Sequence, residues 1–152
     1  MKTILLIEDN KEILENLTEY LELEGFKILL ADNGKRGIEL AREFIPDLIV
    51  CDVKMREMDG HEVLHQLLDT AKTHDIPFIF STSMSEKIDR TASLALGAVD
   101  YIVKPFALDD LLVLIQKWIP IGNRHAENKA QAPNPALSSP IVMENTVCEA
   151  SL

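Results

Sequence analysis

The sequence predicts an α/β protein: a doubly wound sheet of five parallel strands with helices on both faces. Five short apolar runs alternate with segments of helical periodicity along residues 4–118. Continuous apolar runs that are bounded by turn residues are typical of strands buried on both faces, as in a parallel sheet. Strands that alternate with helices at this spacing indicate right-handed crossover connections, which place helices on both sides of the sheet.

Each predicted strand runs into a polar residue or a turn, and a helix follows it. The strands are predicted at 4–7, 26–31, 48–51, 78–81 and 101–103. The helices are predicted over about 11–24, 35–44, 60–71, 86–96 and 107–118. Capping chemistry sets several of these boundaries, because Asn10 can cap the first helix, Gly25 can end it, and Pro46 cannot continue the second.

The predicted helices carry apolar stripes that indicate which face turns to the sheet. In the first three helices the inward residues are Ile13, Leu14, Leu17 and Leu21, then Ile38, Leu40, Ala41 and Phe44, then Val63, Leu64, Leu67 and Leu68. We therefore predict one folded domain over residues 1–120. Residues 121–152 hold three prolines and no aromatic residue, which predicts a flexible or disordered C-terminal tail.

Composition and charge exclude several classes of protein. An apolar content of 47% in 152 residues fits a globular chain, and a net charge of −10 disfavours direct binding to nucleic acid. No apolar run approaches the roughly 18 residues that cross a bilayer, and the first residues lack the pattern of a secretory signal. We therefore predict a cytoplasmic protein that binds neither membrane nor nucleic acid directly.

Charged and hydroxyl residues stand at the ends of four of the five predicted strands. Glu8 and Asp9 follow the first strand, Asp52 the third, Thr82 the fourth and Lys104 the fifth. The carboxyl ends of parallel strands share one edge of a sheet, so these side chains are expected to lie close together. Adjacent carboxylates repel each other without a cation, and Mg²⁺ accepts carboxylate and phosphoryl oxygens. The pattern predicts a cation-assisted phosphoryl site in which the lysine pairs with a phosphoryl oxygen.

Four longer motifs surround these residues. They are residues 5–10 (LLIEDN), 47–52 (DLIVCD) with 58–60 (MDG) behind it, 76–82 (IPFIFST) and 97–106 (GAVDYIVKPF). Taken together, these motifs resemble the receiver domain of bacterial two-component response regulators over about residues 2–119, in particular stand-alone, chemotaxis-regulator-like receivers. The resemblance implies a flavodoxin-like fold with strand order 2-1-3-4-5.

The resemblance also implies a role for each site residue. Asp52 matches the aspartate that accepts a phosphoryl group from a phosphohistidine on a sensor histidine kinase or a phosphotransfer protein. Glu8 and Asp9 match the acidic pair that holds Mg²⁺ together with Asp52, and the backbone carbonyl of Lys54 matches the group that completes the metal shell. Lys104 matches the amine that binds the acyl phosphate.

A conformational switch follows from the same resemblance. Thr82 matches the hydroxyl that binds the acyl phosphate, and Tyr101 matches an aromatic residue that turns inward when this hydroxyl moves. The change would alter the face made by the fourth helix, the fifth strand and the fifth helix, and so its contacts with an unknown downstream protein. Passing the phosphoryl group onward in a relay, or forming a homodimer on phosphorylation, are outcomes that the resemblance leaves open. Such a protein is not an enzyme beyond self-phosphorylation and autodephosphorylation.

Two positions depart from the usual pattern of the family. Arg56 stands where Pro is common, which predicts a more mobile loop and a positive group near the acidic pocket. Ser83 stands where a small Ala is frequent, and its own small size should preserve access to the phosphoryl group.

The alternative function is that of a Mg²⁺-dependent phosphohydrolase of the haloacid-dehalogenase kind. Such enzymes also attack phosphate with an aspartate that follows a buried strand. They carry a second aspartate two residues later as acid and base, where this chain has Lys54. A flavin-binding flavodoxin is disfavoured because Glu8 and Asp9 would repel a phosphate at the first loop.

Overall fold

The computed structural model describes residues 1–83 and 90–130, with side chains at 1–83 and 93–119. Strands and helices alternate along this part of the chain, as predicted. The elements are β1 (Thr3–Ile7), α1 (Lys11–Leu23), β2 (Lys27–Ala31), α2 (Gly34–Phe44), β3 (Leu48–Asp52), α3 (Gly60–Leu68), β4 (Phe78–Ser83), α4 (Arg90–Ala95), β5 (Asp100–Lys104) and α5 (Leu108–Ala130). Residues 84–89, where the first part of the fourth helix was predicted, lie outside the described residues.

The five strands form one parallel sheet in the order β2-β1-β3-β4-β5. The predicted fold class and strand order are therefore confirmed. β1 and β3 are neighbours although β2 lies between them in sequence, so the direction of winding reverses between these two strands. The crevice beyond their carboxyl ends is the place where open α/β sheets bind ligands.

Apolar side chains cover both faces of the sheet. Leu5 and Ile7 belong to one cluster with α2 and α3, whereas Ile4 and Leu6 belong to a second cluster with α1 and α5. Alternate residues of β1 thus point to opposite faces, as the twofold period of a strand requires. Burial on both faces explains why the strand reads as an uninterrupted apolar run.

Side-chain caps start the first three helices close to the carboxyl edge of the sheet. Asn10 accepts a hydrogen bond from the backbone N–H of Ile13, and Asn33 accepts one from Arg36. Asp59 caps α3 in the same way through the N–H of Glu62. These caps satisfy backbone donors that have no partner within the helix, and they fix where each chain segment leaves the edge.

The prediction that the stripe residues face the sheet is wrong for two of them. Phe44 is 50% exposed and Leu68 is 38% exposed, whereas the other stripe residues of α2 and α3 are buried. Each is the last residue of its helix, so it lies at the rim of the core. α3 ends at Leu68 instead of near residue 71, because the chain turns there and the Thr73 hydroxyl donates to the backbone carbonyl of Leu67.

The last helix is longer than predicted. α5 continues past Pro120 to Ala130, through Ala126, Glu127 and Lys129, which are good helix formers. The chain divides into a first unit, Met1–Gly122, which contains the sheet, and a second, Asn123–Leu152, of which residues 123–130 are described and helical. The flexible tail over 121–152 stays a prediction, because residues 131–152 lie outside the described part. Among the described residues, no helix has both the length and the apolar character to cross a bilayer.

Glu57, in the loop between β3 and α3, adopts a left-handed backbone conformation with φ of 70°. A residue with a Cβ atom suffers a steric penalty there, and glycine does not. We expect Glu57→Gly to raise the free energy of unfolding by about 0.5–1 kcal/mol, after the greater freedom of glycine in the unfolded chain is subtracted. Urea unfolding measures the change. Glu57→Ala is the control, and an equal gain in this variant would show that the charge of Glu57 is responsible instead.

Candidate functional site

The predicted site residues from β1, β3 and β5 meet at the carboxyl edge of the sheet. The Nζ atom of Lys104 lies 2.7 Å from Glu8 Oε1 and 3.4 Å from Asp52 Oδ1. Lys104 and Glu8 are 96 residues apart in sequence. β3 and β4 lie between their strands in the sheet, so the two long side chains meet by reaching across the shared edge. Both carboxylates are almost fully buried, with exposed fractions of 4% for Glu8 and 7% for Asp52. The expected convergence of charges at one edge is therefore present.

Three carboxylates form a compact cluster at this edge. Glu8, Asp9 and Asp52 each offer one oxygen, and these three oxygens lie within 4.8 Å of one another. The second oxygen of Glu8 accepts a hydrogen bond of 3.1 Å from the backbone N–H of Asn10, which holds its side chain in place. Mg²⁺ prefers hard oxygen ligands: it takes one or two carboxylates directly and keeps waters, through which a further carboxylate can interact. The donor set therefore fits the predicted ion.

Burial and neighbouring charges alter the acidity of the site. The pKa of Asp52 is raised from 3.8 to about 6, chiefly by burial and then by the charges of Glu8 and Asp9, while Lys104 acts in the opposite direction. For Lys104, burial alone would lower the pKa, but the hydrogen bond and charge of Glu8, together with Asp52, raise it above its ordinary value. The cluster thus holds more negative charge than the single lysine neutralises, which is the condition for binding a further cation.

The raised pKa of Asp52 predicts a stability effect that depends on pH. The folded protein binds the proton more tightly than the unfolded chain, so ionised Asp52 opposes folding above pH 6 and this penalty fades as the pH falls toward 4. Without Mg²⁺, we expect Asp52→Asn to raise the free energy of unfolding by about 1–2 kcal/mol at pH 8, and by less at pH 5. Urea unfolding in EDTA tests this, and an equal gain at both pH values would contradict it.

The two predicted switch residues lie on the neighbouring strands β4 and β5. Thr82 is 2% exposed and is paired in register with Val103, next to Lys104. Tyr101 is half-buried, is paired in register with Phe80, and packs against the cluster that contains α2 and α3. Thr82 therefore lies on the strand next to the one that carries Lys104, and Tyr101 lies on that strand itself. Their roles in switching stay predictions, as does the role of the Lys54 carbonyl.

Gly60 was predicted as the start of the third helix and as part of the motif at 58–60, but its contact with the segment that carries Asp52 was not predicted. A Cβ atom on this residue would lie 2.4 Å from the backbone oxygen of Asp52 and 3.0 Å from the Cα of Val53. Its N–H donates to the carbonyl oxygen of Val53 over 2.7 Å. Only glycine permits this approach, so Gly60 holds the loop against the segment that carries Asp52. The glycine after Met58 and Asp59 was the available signal.

The fold and this site define a known class of protein. The family model of the response regulator receiver domain matches residues 4–116. The chain therefore belongs to the response regulator receiver domain family, with the flavodoxin-like sheet of that family. It is a receiver domain and not an enzyme in the ordinary sense, and the haloacid-dehalogenase alternative is not supported.

The chain is similar to longer two-component regulators. It is 38% identical over 109 residues to the response regulator MprA of Mycolicibacterium vanbaalenii, an alignment that covers 72% of this chain and 46% of MprA. It is 37% identical over 116 residues to the transcriptional regulatory protein CpxR of Escherichia coli K12, covering 76% of this chain and 48% of CpxR. The chain thus spans about half the length of these relatives.

One solved structure bears on the acidic cluster. It is the receiver domain of a sensor histidine kinase from Pseudomonas aeruginosa PAO1, which has a magnesium ion coordinated in its active site cleft. The two chains are 27% identical with a TM-score of 0.68, and the match covers 78% of this chain and 98% of the other.

Proposed function

We propose that this chain is a phosphorylation-controlled signalling module in which Asp52 is the phosphoacceptor. The phosphoryl group would come from a phosphohistidine on a sensor histidine kinase or a phosphotransfer protein. The observation that carries the proposal is the contact of Lys104 with both Glu8 and Asp52, at the same edge where Asp9 completes a three-carboxylate cluster. A cation and an excess of carboxylates around one buried aspartate suit metal-assisted phosphoryl transfer better than they suit structural support alone.

The transfer is a displacement at phosphorus. A carboxylate oxygen of Asp52 forms the new O–P bond, the N–P bond to the donor imidazole breaks, and its electron pair leaves with the imidazole. Glu8, Asp9, Asp52 and the backbone carbonyl of Lys54 would hold Mg²⁺, which supplies charge neutralisation for the transferred group. The magnesium-bound receiver of the Pseudomonas kinase supports this assignment.

Lys104 couples the chemistry to the conformation. Its ammonium group lies 2.7 Å from Glu8 and 3.4 Å from Asp52, and a phosphoryl group on Asp52 brings up to about two negative charges into its reach. The phosphoryl group also attracts the hydroxyl of Thr82 near the end of β4. Movement of this hydroxyl opens space for Tyr101 on β5 to turn inward. The population then shifts from one arrangement of the loops to the other.

The output surface would be the face of α4, β5 and α5. Each of these elements carries an exposed apolar side chain: Leu94 in α4, Val103 in β5 and Val113 in α5. A downstream protein or a second phosphorylated copy of the chain would bind there, or the phosphoryl group would pass onward in a relay. Direct contact with nucleic acid or membrane plays no part, and the setting would be the cytoplasm, where sensor kinases present their phosphohistidine.

Labelling by a small acyl phosphate tests the proposed function. We expect wild type to take up one phosphoryl group in the presence of Mg²⁺, to lose it by autodephosphorylation, and to take up none in EDTA. Asp52→Asn should not be labelled, whereas Asp69→Asn, which changes an exposed aspartate at the end of α3, should be labelled as wild type is. Labelling that persists in Asp52→Asn, or that ignores Mg²⁺, would refute the assignment.

A further inference from the structure

Arg56 lies on the flank of the acidic cluster that faces β2. It lines a cavity of about 310 Å³ together with Asp9, Asp32 and Asn33. Asp32 and Asn33 follow β2, the outer strand on this side of the sheet. Lys104 is the last residue of β5, the outer strand on the other side, and it lines a different cavity with α1. The two cations thus line different cavities: Lys104 lines one with α1, and Arg56 lines the other with Asp9 of the acidic cluster.

The loop holds Arg56 at this position. The preceding residue, Met55, is 9% exposed and belongs to the apolar cluster under α2 and α3. The carbonyl oxygen of Arg56 accepts a hydrogen bond of 2.7 Å from the N–H of Met58, and the following residue, Glu57, has its φ at 70°. The turn between these anchors presents the Arg56 side chain to solvent. Arg56 forms no ion pair with any described residue, so its charge is available to a ligand.

We propose that Arg56 is a second cation of the site, which speeds the capture of doubly charged phosphoryl donors and weakens the binding of Mg²⁺. This inference rests on the proposed function of Asp52. A positive group at the mouth of an acidic pocket raises the local concentration of anionic donors. Arg56 also lines the same cavity as Asp9, and its charge therefore repels a divalent cation that binds to Asp9.

Phosphoryl transfer from an acyl phosphate to Asp52 needs no reactant besides the donor. With an acyl phosphate as donor, the Asp52 oxygen forms a bond to phosphorus, the bond between phosphorus and the acyl oxygen breaks, and the electron pair leaves on the carboxylate product. Arg56 touches neither bond. It acts on the approach of the donor, and its effect should therefore grow with the negative charge of the donor and shrink as salt is added.

Arg56→Gln tests the proposal by two measurements with opposite expected signs. With acetyl phosphate at low salt and saturating Mg²⁺, labelling of Asp52 should slow about three- to tenfold, the scale of one charge interaction in a solvated site. Mg²⁺, titrated by calorimetry without any donor, should bind about two- to fivefold more tightly. A damaged site would lose both properties, so the opposite signs separate an electrostatic role from a structural one.

Two further variants and a second donor complete the experiment. Arg56→Lys keeps the positive charge and should retain most of the wild-type labelling rate. Lys72→Gln removes an exposed charge between α3 and β4, at the amino edge of the sheet, and should change neither measurement. Phosphoramidate, which carries less negative charge than acetyl phosphate at neutral pH, should be less sensitive to Arg56→Gln, and so should both donors in about 0.5 M salt. Equal rates for wild type and Arg56→Gln, or a loss independent of donor and salt, would overturn the proposal. Absence of labelling in wild type would instead refute the function of Asp52.

Discussion

Replacing Lys104 by methionine is expected to destabilise the metal-free protein at pH 8 by about 2–4 kcal/mol, because two buried carboxylates lose their cation. Lys104 is charged at this pH in both states, since its pKa in the folded protein is raised above the ordinary 10.5. Methionine keeps the apolar volume of the stem, so most of the loss is electrostatic. Urea unfolding in EDTA measures it.

Two conditions should reduce this loss. At pH 5, Asp52, whose pKa is already about 6 beside the lysine, binds a proton and repels Glu8 less. Mg²⁺ should also reduce the loss, since it replaces the missing positive charge. Lys72→Met is the matched control, because Lys72 is exposed at the far edge of the sheet. A loss that is equal at both pH values and insensitive to Mg²⁺ would show that packing, not charge, is the function of Lys104.

Gly60→Ala should be as damaging, for a steric reason. The new Cβ would lie 2.4 Å from the backbone oxygen of Asp52, and no side chain can move aside to relieve the clash. We expect a loss of about 2–3 kcal/mol in the free energy of unfolding. Mg²⁺ should bind about tenfold more weakly, since the backbone that carries Asp52 must shift.

The control for Gly60→Ala is a glycine whose substitution meets no neighbour. Gly25 has a φ of 98°, a Cβ added to it would have no atom within 4 Å, and it lies between α1 and β2 at the opposite edge. Gly25→Ala should cost about 1 kcal/mol through backbone strain alone and leave Mg²⁺ affinity unchanged. Unchanged Mg²⁺ binding in Gly60→Ala, measured by calorimetric titration, would show that the loop does not position Asp52.

Much of the fold follows from local patterns. Ile4 to Ile7 is apolar throughout because both faces of β1 are covered, and Asn10 starts α1 through a hydrogen bond that its own residue type makes available. The strand order could be predicted only from the family resemblance, because alternating strands and helices are compatible with several strand orders. The exposure of Phe44 and Leu68 was not predicted, because helical periodicity does not show where a helix extends beyond the edge of the sheet.

The site was predictable in outline for a topological reason. Parallel strands end at the same edge of a sheet, so Glu8, Asp52 and Lys104 were expected at one edge. The sequence could not show that the lysine lies nearer Glu8 than Asp52, nor that Gly60 contacts the backbone of Asp52. These details depend on the register of the strands and the path of the loop before α3. They set the electrostatic balance on which the proposed chemistry depends.

Chemical trapping of the phosphorylated residue tests the central claim most directly. Borohydride reduces an aspartyl phosphate to homoserine, and tandem mass spectrometry of the digested protein then locates the converted residue. After labelling with an acyl phosphate and Mg²⁺, homoserine is predicted at position 52 and at no other aspartate. Conversion of a different aspartate, or a stable phosphoryl group on a serine, threonine or histidine, would contradict the account.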